Sequence, residues 1–343
     1  MREKTQLTLG VIAEDNLQQH RLRSALADFG CQVVCLNAER SGSADLHKTQ
    51  VAAWLVDLRE DHHLLDGLSE LDVPVLFGFE AAPSPQASAY PRWEKRLYSK
   101  LKNLLGTDVL HQAITEGELK ELGVAQAPRQ SQLPSGISIS ASAEPARYVW
   151  LLGASLGGPA AVKRFLDCLP AGFPVGFIYG QHIDQNFVPV LAQVLGRHAA
   201  VNMQQASEGF VLKNGQVLIA PTDVEIAFSA GQLVLKQQAW PGPYGPSVDQ
   251  LMLNVYQAYP LAGYILFSGM GNDGAEAAHF LKDKNVQIWA QSTATCASSA
   301  MPDSVRETGA VNFSGSPEEL AANLIRHIES LEKQVNRTGL CNN

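Results

Sequence analysis

Tyr148-Val-Trp-Leu-Leu-Gly-Ala-Ser155-Leu-Gly-Gly-Pro-Ala-Ala161 is the stretch from which the fold can be read. An apolar, β-prone run from Tyr148 to Leu152 stops at Gly153, and helix-compatible sequence begins near Pro159. Proline suits the first turn of a helix, where its missing N–H is not needed. The stretch therefore predicts strand, tight turn and helix, with the Ser155 hydroxyl at the carboxyl end of a sheet. Glycines let the backbone bend sharply there and let a substrate come close. Gly153-Ala-Ser155-Leu-Gly157 also fits the G-x-S-x-G pattern of a nucleophile elbow. So short a pattern recurs by chance, and two other readings stand beside it. Ser155 could be an ordinary helix N-cap, or Gly153 to Gly158 a phosphate cradle in a dinucleotide-binding unit.

Downstream, Pro174 to Gly180 predicts a second apolar strand ending in Gln181-His182, with a helix over Phe187 to Leu195 stopped by Gly196. Val201 to Leu235 changes character: short strand-like runs separated by turns at Asn214-Gly215, Pro221-Thr222-Asp223 and Ala230-Gly231 predict an antiparallel hairpin insertion. Ser247 caps a helix to Tyr259, and the strand Gly263 to Phe267 feeds Ser268-Gly-Met-Gly-Asn-Asp273-Gly. A helix over Ala275 to Lys284, a strand over Val286 to Ala290 and an amphipathic helix over Pro317 to Glu332 close the chain.

Ser155, His182 and Asp273 thus fall just past the ends of three strands, and a parallel sheet brings such positions to one edge. A serine needs a neighbouring base to become a nucleophile. Histidine can accept that proton near neutral pH, while a carboxylate fixes its tautomer. The other readings are a polar loop histidine at 182 and a turn or helix-capping role for Asp273, with Asp184, Asp223 and Asp249 as rival carboxylates. The dinucleotide reading requires an acidic residue at the end of the next strand. That strand ends in Gln181-His182, and the G-x-G-x-x-G spacing is missing. The order Ser, His, Asp also departs from the Ser, acid, His order of an ordinary α/β-hydrolase.

Upstream, Leu7 to Ala13 predicts a strand ending at Glu14-Asp15, followed by a helix with Leu17, Leu22, Leu26 and Phe29 on one face and Gly30 as its stop. Strands follow at Val33 to Leu36, Ala52 to Val56 (ending at Asp57) and Val73 to Phe77, and a helix at Leu101 to Leu122 ended by Gly123. Alternation of this kind implies a parallel sheet. Ala125 to Pro145, rich in Gln, Ser, Pro and Ala, reads as a flexible linker.

The chain has 343 residues, which suggests two domains, and a formal charge of −8, which argues against a general nucleic-acid binder. No run approaches the roughly 20 apolar residues of a membrane helix, and no signal-peptide core follows Met1. Five cysteines form neither a disulfide framework nor a metal-ligand spacing, which points to a reducing, cytoplasmic location.

Residues 7 to 105 resemble a response-regulator receiver domain of flavodoxin-like fold. The resemblance implies that Glu14 and Asp15 bind Mg²⁺ and that Asp57 accepts phosphate. Phe77-Gly-Phe-Glu-Ala81 lacks the hydroxyl the family carries after the fourth strand, and Lys95 is the nearest match to its lysine. Residues 148 to 328 resemble the catalytic domain of the CheB chemotaxis protein-glutamate methylesterases. The resemblance rests on Gly153-Ala-Ser-Leu-Gly-Gly158, Gln181-His182, Ile219-Ala-Pro221, Ser247-Val-Asp249, Gly269-Met-Gly-Asn-Asp-Gly274, Ala290-Gln291 and Met301-Pro302, in the family's order. It implies a serine esterase with Ser155 as nucleophile, His182 as base, Asp273 as its orienting partner, and the Leu156 and Met270 N–H groups as oxyanion donors. Leu156 replaces the family's usual Thr, which leaves a backbone role intact.

The organisation expected is α/β throughout. A degenerate receiver-like domain (1–106) leads through a helix and flexible linker (107–146) to a doubly wound, mostly parallel esterase domain (147–332) and a tail (333–343). The implied function is hydrolysis of glutamate methyl esters on methylated chemoreceptors, with glutamine deamidation beside it and a chemosensory histidine kinase as partner. No catalytic cofactor and no direct membrane insertion are expected. The alternative is a non-catalytic scaffold that binds receptors.

Overall fold

The computed structural model describes residues 7–28, 31–84, 87, 89–105, 122, 132–137 and 144–338. The chain divides into two compact units, Met1–Lys120 and Glu121–Asn343.

In the first unit four parallel strands, β1 (Thr8–Ala13), β2 (Gln32–Asn37), β3 (Ala53–Asp57) and β4 (Val75–Leu76), lie in the order β2-β1-β3-β4. The register pairs Ala13 with Asp57, which brings Glu14 and Asp57 to one edge. The helix after β1 spans Asn16–Asp28 and buries Leu22 and Leu26, but Leu17 faces solvent; Phe29 and its expected stop Gly30 lie outside the described residues. Where Val73 to Phe77 was expected as a strand, β4 keeps two residues and Phe77 is exposed. The next helix runs Tyr90–Leu105, eleven residues earlier than Leu101. Trp93, Leu97 and Leu101 recur at a four-residue interval and are buried, and Pro91 sits in its first turn. No fifth strand occurs among the described residues, and the rest of the expected helix, 106–121, and its stop Gly123 lie outside them.

The second unit holds a seven-stranded sheet ordered β13-β12-β11-β5-β6-β8-β7. Its strands are β5 (Tyr148–Ala154), β6 (Val175–Gln181), β7 (Asn202–Gln205), β8 (Gln216–Ile219), β11 (Gly263–Leu266), β12 (Ile288–Gln291) and β13 (Phe313–Gly315), and every pairing is parallel. Helices on both faces bury β5 and β6 along almost their whole length, which is why both read as continuous apolar runs. From β5 the chain winds outward through β6; from β11 it winds the other way through β12. The switch point lies between β5 and β11, where open α/β sheets place their sites.

Two expectations are corrected here. The antiparallel insertion is confined to the β9 (Ile226–Ser229) and β10 (Gln232–Leu235) hairpin, closed by Ala230 and Gly231 with positive φ; β7 and β8 belong to the main sheet. The helix at Pro317–Thr338 continues six residues beyond 332, so a tail from 333 is helical as far as it is described. Buried Glu332 ties that helix to the start of β5, accepting hydrogen bonds from Tyr148 Oη at 2.8 Å and Arg147 Nη1 at 3.3 Å. Much of the expected linker lies outside the described residues. Of its residues 132–137, Ile137 is buried, and Gly136 lies against this helix, where a Cβ would fall 2.9 Å from Glu329 Oε1. The Ala300–Glu307 helix and β13 had no counterpart in the expected layout.

Candidate active site

Strand register builds the site. Ala154 pairs with Gln181, so the next residues, Ser155 and His182, leave adjacent strands together, about 5 Å apart at their Cα atoms. The His182 N–H donates to Ala154 O at 3.1 Å and the Ser155 N–H to Ser268 O at 3.1 Å, which ties the ends of β5, β6 and β11 to one another. Ser155, His182 and Asp273 are all buried.

Ser155 is not a helix cap. The Gly158–Asp167 helix is capped by Gly157, which uses no side chain, and Gly157 holds φ 72° where a side chain would be strained. A Cβ there would also fall 2.5 Å from Ala297 Cβ. Pro159 removes one of the N–H groups a phosphate cradle would use. Gln181 Nε2 donates to Ser155 O at 2.8 Å, and the Gly158 N–H reaches the same carbonyl at 2.9 Å. With that carbonyl pinned, the trans peptide turns the Leu156 N–H the opposite way. The Gly269 carbonyl is likewise held, by the Met301 N–H at 2.9 Å and Ser298 Oγ at 3.3 Å, which turns the Met270 N–H away from both. Neither N–H has an acceptor among the described residues, although both residues are buried.

His182 Nε2 lies 2.9 Å from Asp273 Oδ2. Asp273 does not cap its own helix, Ala275–Leu281. Its carboxylate instead accepts from the Val248 N–H at 2.7 Å and the Asp249 N–H at 2.9 Å, the first turn of the Val248–Ala258 helix. Asp249 returns the arrangement, its Oδ1 accepting from the Ala277 N–H at 2.7 Å. The two helices thus exchange caps, and the positive end of one dipole faces Asp273. Burial works to raise the Asp273 carboxyl, but the His182 bond and charge and the two N–H donors hold it below its ordinary value. Burial pushes Asp249 up to about 6 against the pull of Ala277, with the neighbouring charge of Asp273 adding to the rise. With Nε2 facing the carboxylate, the imidazole presents Nδ1 as its free nitrogen. No hydrogen bond joins Ser155 Oγ to His182 in this conformation. Catalytic contacts often tighten only with substrate bound.

Of the three rival carboxylates, Asp249 stands beside Asp273 and the other two are placed elsewhere. Asp184 caps the short turn at Gln185–Phe187, and Asp223 is exposed. Three residues of the quoted motifs turn out to be supports: Gln181 under the elbow, Gln291, whose Oε1 accepts from the Ser268 N–H at 2.8 Å, and Ser268, whose Oγ donates to Leu156 O at 2.7 Å. Tyr244, stacked on the His182 ring with centroids 4.6 Å apart, was missed; its only trace in the sequence is an aromatic residue inside Pro241-Gly-Pro-Tyr-Gly-Pro246, next to the Ser247 cap.

Residues 150–324, just over half the chain, match the family model described as CheB methylesterase. The chain belongs to the CheB methylesterase family. It is 36% identical over 170 residues to a protein-glutamate methylesterase/protein-glutamine glutaminase of Saccharophagus degradans, covering 46% of this chain and 44% of that protein. It is 30% identical over 214 residues to one of Shewanella frigidimarina, covering 60% of this chain and 53% of the relative. The chain therefore spans about half the length of the curated relatives it matches. The crystal structure of the Thermotoga maritima CheB methylesterase catalytic domain aligns with 52% of this chain and 97% of its own at 26% identity, with a TM-score of 0.49.

In the first unit Glu14 and Asp15 are engaged with their own surroundings. Glu14 pairs with Arg59, accepting from its Nε at 3.0 Å and its N–H at 3.1 Å. Asp15 Oδ1 accepts from the Leu17 N–H at 2.7 Å, at the start of the Asn16–Asp28 helix, and Asp57 is exposed. Lys95 falls within the Tyr90–Leu105 helix, and its side chain lies outside the described residues. Among the described residues no group of three or more His, Cys, Asp or Glu is placed to hold a metal ion. Among them, too, no helix is long and apolar enough to cross a membrane.

Proposed function

We propose that the second unit of this CheB-family chain is a serine esterase that hydrolyses glutamate methyl esters on chemoreceptors and deamidates glutamines at such sites. Ser155 Oγ attacks the ester carbonyl as His182 Nδ1 takes its proton, and Asp273 holds the ring and the charge it gains. The Leu156 and Met270 N–H groups receive the oxyanion; such a donor contributes about 3–4 kcal/mol in related chemistry. Collapse expels methoxide, which leaves as methanol with the proton from His182. Water, deprotonated by the same nitrogen, then hydrolyses the acyl-enzyme to the free glutamate and restores Ser155. A glutamine side chain follows the same course with ammonia as leaving group. No step calls for a cofactor.

One observation carries the reading: His182, paired with Asp273 at 2.9 Å, leaves the strand next to Ser155, beside the Leu156 and Met270 N–H groups, which have no acceptor among the described residues. Incubation with methylated receptor tests it. The wild type is expected to release methanol, and Ser155→Ala to release none above background. Equal rates in the two would end the proposal.

The boundaries 1–106, 107–146 and 147–332 belong to the same proposal, with catalysis confined to the last segment. We assign the first unit a receiver-like docking role toward a chemosensory histidine kinase, without the Mg²⁺-dependent switch of its family. Mg²⁺ requires free oxygen ligands in near-octahedral array. Glu14 faces the Arg59 guanidinium and Asp15 a helix start, so these residues do not fit the ion as arranged. A cytoplasmic location completes the proposal, supported by the free thiols of Cys31, Cys35, Cys168 and Cys296.

A further inference from the structure

His182 is fixed at one nitrogen by Asp273, but a single hydrogen bond leaves a ring free to rock about that axis. Tyr244 removes this freedom. Its ring lies parallel to the imidazole, with centroids 4.6 Å apart and planes inclined by 4°. The far end of the same side chain reaches the oxyanion loop: a Cβ placed on Gly271 would fall 2.8 Å from Tyr244 Oη. Gly271 directly follows Met270 and holds φ 95°, so the phenol lies against backbone that only glycine adopts readily.

The segment that carries Tyr244 is itself anchored. Trp240 Nε1 donates to Pro221 O at 2.9 Å. A Cβ at Gly245 would fall 2.2 Å from Thr222 O, so the backbone runs hard against the 221–222 segment on the far side of the tyrosine as well. Ser247, three residues on, starts the helix whose first N–H groups hold Asp273. Burial, then the charge of Asp273, pushes the Tyr244 phenol above its ordinary value, so it stays neutral.

From this geometry we infer that Tyr244 is a positioning residue: its ring holds the His182 imidazole in the plane needed for proton transfer from Ser155 and stabilises the imidazolium that results. The inference rests on the esterase reading above. A parallel aromatic face attracts a cation, and the cation exists only after the proton has moved, so the attraction favours the transition state over the bound ester. A contribution of that kind appears in kcat and not in KM. The stack also suppresses ring rotation, and small misplacements of reacting groups cost up to about 100-fold.

Three variants test it: Tyr244→Ala, Tyr244→Leu (apolar bulk without a π face) and Tyr244→Phe. The account expects kcat for methanol release to fall about 10- to 100-fold in the Ala and Leu variants, with KM within about twofold. Phe should recover most of the loss. Independently of activity, the carbon-bound ring protons of His182 should show an upfield ring-current shift by NMR in wild type and Tyr244→Phe that is lost in the Ala and Leu variants. A wild-type kcat in Tyr244→Ala or Tyr244→Leu, a loss seen in KM alone, or a Phe variant as slow as Ala would overturn the inference, and so would unmoved His182 resonances. Absence of esterase activity in the wild type would refute the functional reading instead, leaving the NMR comparison to decide whether the stack exists.

Discussion

Replacing Asp273 with Asn separates the electrostatic role of this side chain from its shape. Three donors converge on the carboxylate: His182 Nε2 and the Val248 N–H on Oδ2, and the Asp249 N–H on Oδ1. An amide offers one oxygen. If that oxygen takes the Oδ2 position, the NH₂ meets the Asp249 N–H, and one buried donor is stranded. If it takes the other position, the NH₂ faces both Val248 and His182. Each stranded buried donor costs about 1–3 kcal/mol, and loss of an anion at a helix N-terminus about 0.3–1 kcal/mol more. Asp273→Asn should therefore lose about 1–4 kcal/mol of stability, a fall in Tm of about 3–15 °C for a unit of this size. The kinetic loss should be larger. In either orientation the negative charge that stabilises the imidazolium is lost. With an NH₂ toward Nε2, that nitrogen must also accept, the proton moves to Nδ1, and the ring can no longer take the serine proton there, a change that costs about ten-thousandfold in serine hydrolases. Methanol release and thermal unfolding, measured at the same pH on the same preparation, give both numbers. A folded Asp273→Asn protein with kcat within tenfold of wild type would refute the reasoning, because the carboxylate would then neither set the tautomer nor stabilise the imidazolium.

Asp249 yields a pH test. Its folded carboxyl is raised from 3.8 to about 6, so the folded state holds this proton more tightly than the unfolded chain does. The penalty is absent below about pH 4 and complete above about pH 6. Two pKa units correspond to about 3 kcal/mol, reduced to about 1–2 kcal/mol for a side chain that solvent still reaches. Asp249→Asn, which keeps an oxygen for the Ala277 N–H, should therefore raise Tm by a few degrees at pH 7.5 and leave it unchanged at pH 4. A difference of the same size at both pH values would show that the charge is not the cause. In the first unit, Asp57→Ala should leave methanol release within about threefold of wild type, with or without acetyl phosphate, because the neighbouring acidic residues are already paired. Loss of a large phosphodonor stimulation in that variant would contradict this.

How much of this was legible beforehand depended on where each signal lies in the chain. The strand-turn-helix at Ser155, the strand ending at His182 and the loop carrying Asp273 are local patterns, each written in contiguous residues, and the parallel register then places them together. The partners of Asp273 were not legible. That it caps the Val248–Ala258 helix, while Asp249 caps the Ala275–Leu281 helix, is an exchange between segments 24 and 28 residues apart. A turn reading of Asn272-Asp-Gly274 sees only its neighbours. Tyr244 was hidden for a related reason, since its Pro-Gly surroundings read as an ordinary loop. The Tyr90–Leu105 helix starts ahead of the expected Leu101 because Pro91 occupies its first turn, and Trp93 and Leu97 extend the buried face of Leu101 toward the N-terminus. β7 and β8 were assigned to a hairpin because four-residue strands carry too little pattern to separate a parallel edge pair from an antiparallel one.

The claim beneath all of this is that the imidazole of His182 activates one particular alcohol. A fluorophosphonate probe reports on it without any receptor, through intact mass and peptide mapping of the labelled protein. The account predicts one adduct, on Ser155, forming at least a thousandfold more slowly in His182→Gln. Labelling of another residue, or an unchanged rate in His182→Gln, would contradict it.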